Sequence, residues 1–99
     1  MNPEPFDKMS YAIFSGLLHS TFRVQGNASV IDLELIEATA HRSSTKNFSL
    51  TFSGPLDQFL PQQTYRIEHK SLGAFDLFIV PIGKDQKSFS YQAIFNNPQ

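Results

Sequence analysis

The side chains best suited to proton transfer or metal ligation in this sequence are three histidines, His19, His41 and His69. They share neither the i, i+2 nor the i, i+4 spacing that sets two ligands on one strand or helix face, so a metal site would have to be assembled from distant elements. The expected arrangement is one histidine at a helix end, one in a loop and one in a strand, each with its own hydrogen bonds. A hydrolase built on His41 or His69 needs an Asp or Ser partner within hydrogen-bond reach and a cleft to hold them. The Gly-x-Ser-x-Gly elbow that exposes a serine nucleophile does not occur.

Asp32 and Glu34 pair two carboxylates on one strand face, about 7 Å apart at strand spacing and close to the separation used by glycosidases. On an alternating strand they are also the expected solvated face, and the chain has no tryptophan to form a sugar platform. The segment His41-Arg42-Ser43-Ser44-Thr45-Lys46 gathers cations and hydroxyls able to hold a phosphate. It lacks the glycines that let backbone amides close around one, and reads as a solvated loop. Phe48 and Phe52 could stack nucleic-acid bases, but their strand offers only Ser49, Thr51 and Ser53 beside them and no basic residue. No catalytic, metal or cofactor-binding residue is assigned, and no cofactor is expected.

These candidates sit in a chain of 99 residues, enough for one hydrophobic core. A lead-in over 1–7, a single β-rich domain over 8–96 and a polar tail over 97–99 are expected. Apolar residues make up 40% and include ten phenylalanines, the content of a folded globule. The absence of cysteine excludes disulfides, thiolate metal sites and thiol catalysis. Eight basic and nine acidic residues are interspersed, giving a net charge of −1. Without clustered Lys and Arg, neither nucleic acid nor an anionic membrane is an expected partner. The first residues lack the basic region of a signal peptide, and no apolar stretch is long enough to span a bilayer, so the expected compartment is the cytoplasm.

Ser10 reads as the N-cap of a short helix running to about Leu18, with Ile13, Phe14, Leu17 and Leu18 on one stripe and Gly16 as its weak point. The period then changes to two. Phe22 and Val24 begin a hairpin that turns at Gly26-Asn27 and returns through Ile31, Leu33 and Leu35. The slip in alternation at Ile36 signals a β-bulge or a strand leaving its sheet. Thr39 to Asn47 reads as a loop, followed by a third strand with Phe48, Leu50 and Phe52 that ends at Gly54-Pro55. Tyr65, Ile67 and His69 mark a fourth strand, Leu72-Gly73 a tight turn, Ala74 to Ile82 a fifth strand, and Tyr91, Ala93 and Phe95 a sixth. Short strands with turn residues between them and no crossover helices predict a mainly β fold. We expect a small antiparallel barrel or rolled sheet of about six strands, with one N-terminal helix on a face or plugging an end.

The fifth strand breaks the simple pattern. Phe75, Leu77 and Ile79 supply a core face, yet Phe78, Val80 and Ile82 point the other way, as does Ile94 in the sixth strand. Either the N-terminal helix covers these four residues, or they form an interface for a protein partner or a second copy.

Landmarks between Phe48 and Asn96 resemble a family of short bacterial proteins known as a domain of unknown function. They are Phe48-Ser49-Leu50, Gly54-Pro55, Leu60-Pro61, Tyr65-Arg66-Ile67-Glu68-His69, Leu72-Gly73, the Phe78 to Pro81 run, and Tyr91-Gln92-Ala93-Ile94-Phe95-Asn96. Weaker similarity reaches back through Phe22-Arg23-Val24, Gly16 and Phe14, while Gln63 departs from the glycine of the family pattern. Some members are encoded beside phage-tail-collar-like proteins, so the resemblance implies a structural or accessory role in such an assembly. It transfers no catalytic residue. The reading is a non-enzymatic interaction or structural module. The alternatives are a small barrel that binds an apolar molecule and, behind it, a hydrolase using scattered His, Asp and Ser.

Overall fold

A computed structural model describes residues 10–26, 29–41 and 44–96, with the side chains of 41, 44–46 and 96 outside the description. The expected lead-in over 1–7, the Asn27 half of the first turn, the tail over 97–99 and the side chains of the His41–Lys46 segment therefore lie outside the described residues. The elements are α1 (Tyr11–Ser15), β1 (Thr21–Gln25), β2 (Val30–His41), β3 (Ser44–Gly54), β4 (Gln63–His69), β5 (Gly73–Lys84) and β6 (Phe89–Asn96). The strands close into an antiparallel barrel in the order β1-β2-β3-β6-β5-β4. The expected fold class holds, and β4 to β6 form the meander their short turns require. Because β4 returns to lie beside β1, the first four strands make a Greek key.

Alternation decides which side chains fill the barrel. Phe22 and Val24 of β1, Ile31, Leu33 and Leu35 of β2, Phe48, Leu50 and Phe52 of β3, Tyr65 and Ile67 of β4, Phe75, Leu77 and Ile79 of β5, and Tyr91 and Ala93 of β6 are all buried. Phe22 meets Phe52 edge to face at 5.3 Å between ring centroids, and the side chains themselves fill the interior. The slip at Ile36 is a register shift between Leu35 and Glu37, after which Ala38 takes the inward position opposite Leu50.

The expected loop over Thr39–Asn47 is instead strand on both sides of the hairpin tip. Thr39 pairs with Ser49 and Ala40 with Phe48, so the hydrogen-bond ladder with β3 carries the polar run as strand. Polarity marked only that this part of the hairpin is not core.

The helix is also shorter than its apolar stripe suggested. Ser10 caps it as expected, its hydroxyl accepting from the Ile13 N–H at 3.3 Å. The helix ends at Ser15, Gly16 is the C-cap, and turns carry the chain to His19, which has a positive φ of 71°. Of the stripe, only Phe14 is fully buried, and Leu18 is exposed. Phe14 packs against Phe22, Phe48 and Phe95 at 5.4–6.2 Å between centroids, so α1 plugs one end of the barrel.

Strand order determines how the other end is closed. β3 and β4 stand on opposite sides of the barrel, so residues 55–62 must cross its mouth. Gln58 of this strap bonds Ser29, Phe59 packs on Phe89 at 5.1 Å, and Leu60 is buried. The Leu60 N–H donates to the Tyr91 hydroxyl at 3.0 Å, fixing the centre of the strap to the barrel.

Candidate functional site

With α1 at the barrel end, nothing among the described residues lies over the second apolar face of β5. Phe78, Ile82 and Ile94 are 49%, 50% and 63% exposed, and Val80 is half-buried. Phe78 stands opposite Thr64 of β4, and Val80 opposite Gln92 of β6. Ile82 is the extra residue where the register shifts between Pro81 and Gly83, so it projects at the rim. Across β6, Ile94 pairs with Ser49, Gln92 with Thr51, and Ser90 with Ser53 of β3. The outer face from β5 across β6 to β3 therefore carries apolar, hydroxyl and amide groups and no charge between Ser49 and Ser53, Ser90 and Ile94, and Phe78 and Ile82.

The opposite side of the barrel carries the charged pairs. Arg23 pairs with Asp32 at 3.3 Å, His19 with Glu34 at 2.9 Å, and Arg66 with Asp76 at 3.3 Å. The two carboxylates considered for glycoside chemistry thus have separate exposed partners, Arg23 for Asp32 and His19 for Glu34. The sequence pointed to Phe78, Val80, Ile82 and Ile94 but missed the uncharged Ser, Thr and Gln residues that extend the face. Their outward positions in the alternation of β3 and β6 were the available signal.

A second feature is an open groove of about 840 Å³ beside His69, lined among others by Leu17, Thr21, Arg23, Lys70 and Ser71. His69 is buried, its ring 4.4 Å from that of Phe22. The Ser71 N–H donates to Nδ1 at 3.0 Å, so Nδ1 is the unprotonated acceptor. The Ser20 hydroxyl donates to the Leu17 carbonyl at 2.6 Å, so the 2.9 Å contact between Ser20 Oγ and His69 Nε2 is donated by the imidazole. This proton arrangement is the reverse of an activated serine, in which the hydroxyl donates to the ring and a carboxylate receives the other N–H. Burial first, and Lys70 second, hold the His69 pKa below its ordinary value of 6.5. His69 is a neutral joint between three segments. His19 lies at the surface with Glu34, and among the described residues no three His, Cys, Asp or Glu side chains come together as a metal site. Phe48 and Phe52 are core residues and offer no stacking platform.

Fold and site together define a small Greek-key β-barrel, plugged by a helix at one end and strapped at the other, with one charged and one uncharged side. Residues 9–95 match the family described as Domain of unknown function (DUF6916), and the chain belongs to that family. It matches no curated protein and no solved structure. No helix among the described residues is long and apolar enough to cross a membrane.

Proposed function

We propose that the protein is a non-enzymatic interaction module that works through the uncharged outer face of β3, β6 and β5. The observation that carries this reading is the exposure of Phe78, Ile82 and Ile94 together on a face without charge, the composition found at the centres of protein interfaces. The reversed proton arrangement at Ser20 and His69 favours binding over hydrolysis. The filled interior weighs against the alternative of an apolar small molecule held inside the barrel. A bacterial, cytoplasmic setting and an accessory role in a phage-tail-like assembly are the finer form of the proposal and rest on the family resemblance. Nucleic acid and membranes are not among its partners in this reading.

The test compares wild type with the double variant Phe78→Lys/Ile94→Lys, by affinity capture and by sedimentation. Both side chains point outward, so the variant should fold while losing whatever the wild type binds. Identical capture and sedimentation for the two proteins would refute the reading.

A further inference from the structure

We infer that His69 is a pH-sensitive clasp on the barrel: a proton taken up from solvent at Nδ1 frees the 70–72 turn and opens the seam between β1 and β4 at the end that α1 plugs. Among the described residues this seam is paired only through Arg23 with Glu68 and Val24 with Ile67, fewer positions than any other seam of the barrel. Continuing the register would set Phe22 opposite His69, but the ladder stops short of them and their rings meet inside at 4.4 Å. The imidazole spans this part of the seam, accepting from the Ser71 N–H and donating to Ser20 Oγ. Beside it the open groove of about 840 Å³ lies between Thr21 and Arg23 of β1 and Lys70 and Ser71 of the turn. Leu17, ahead of β1, and Leu72, in the turn, are partly buried against the core.

The two ring nitrogens respond differently to a proton. Nε2–H donates to Ser20 in either state, so the tie to the segment after α1 survives. Nδ1 accepts from the Ser71 N–H, and two N–H groups cannot share one hydrogen bond, so the turn has to move. The surroundings do not hold the new charge in place. Lys70 of the turn and Arg23 of β1 are cations, Glu68 of β4 is exposed on the outer face, and Gly73 and Ala74 of β5 carry no charge. Asp32 and Glu34 of β2 are taken by Arg23 and His19. Burial first and Lys70 second keep the ring neutral at neutral pH, so the change falls below about pH 6.5. Movement of the turn takes Leu72 off the core and deepens the groove towards Phe22. The ladder of β3 with β6 stands on the other side of the barrel and does not pass through His69, so the opening is local.

Nuclear magnetic resonance of the full chain, titrated from about pH 7.5 to about pH 5, reads the ring of His69 and the hydrogen exchange of each amide together. Each pH unit below the midpoint of the folded ring favours the protonated form tenfold, so the Ser71 amide should lose at least about tenfold in protection, corrected for the intrinsic pH dependence of exchange, in step with the ring. Amides of the β3–β6 ladder should keep their protection over the same range. His69→Gln should remove the step at Ser71, and because it leaves His19 in place it separates the two histidines. The inference is overturned by a ring that stays neutral to about pH 5, by a ring that titrates while Ser71 keeps its protection, or by protection lost at Ser71 and in the β3–β6 ladder together, which is global unfolding. A step that persists in His69→Gln also overturns it, and if that variant does not fold the wild-type titration decides alone.

Discussion

His69 joins the end of β4 to the turn that follows it and to the segment leaving α1, using both ring nitrogens. Nδ1 accepts from the Ser71 N–H, and Nε2–H donates to Ser20, whose own proton goes to the Leu17 carbonyl. A proton added at Nδ1 would face the Ser71 N–H and break that bond. The charged groups nearby are Glu68 of β4, Lys70 of the turn after it and Arg23 of β1, the last paired with Asp32, and among the described contacts of the ring none is to a carboxylate. With its folded pKa held below the ordinary 6.5, His69 binds its proton more readily in the unfolded chain. The contribution of His69 to stability is therefore full above about pH 6.5 and declines as pH falls from there towards the folded value. His69→Gln keeps an acceptor and a donor but cannot titrate. Urea unfolding at a series of pH values should show a weaker decline below about pH 6.5 for this variant than for wild type, and parallel profiles would contradict the assignment.

At the scale of elements, close approach constrains the end of β3. A Cβ added at Gly54 would stand 2.6 Å from Leu33 Cδ2 and 3.0 Å from Tyr91 Cε2, both in buried side chains with little room to move. Gly54→Ala should destabilise the fold by about 1–3 kcal/mol, measurable as a lower urea midpoint with an unchanged slope. Period-two alternation made the strands, their core faces and the bulge at Ile36 legible in the sequence. The sequence predicts a longer helix because Leu17 and Leu18 extend the apolar stripe past Gly16, and no local pattern says that the end of the barrel has room for only one turn. Thr39 and Ala40, which read as loop in the sequence, are held in β2 by their pairing with Ser49 and Phe48. That ladder joins residues far apart along the chain.

For the molecule as a whole, a closed barrel has two open ends, and the chain fills each by a different device. Leu60 on the crossing strap closes one end, while Phe14 closes the other as the only fully buried residue of α1. Phe14→Ala should cost about 3–5 kcal/mol, a large part of the roughly 5–15 kcal/mol that stabilises a domain. Thermal unfolding should show a lowered midpoint, and a loss under about 1 kcal/mol would mean that other side chains close this end. The division of the outer surface into charged and uncharged sides also belongs to this scale, since each side draws on strands distant in sequence.

Residue types and their alternation alone determined that the protein is a small β-rich domain without thiol chemistry, which side chains form its core, and that Phe78, Val80, Ile82 and Ile94 lie outside it. Those features follow from the two-residue period of a strand, which a sequence carries locally. Tertiary structure decided that the barrel closes in Greek-key order, that α1 plugs an end instead of covering β5, that His69 meets Ser20, and that β3 and β6 extend the apolar patch into an uncharged face. Each of these depends on which strands become neighbours, and strand order is set by packing the whole core at once.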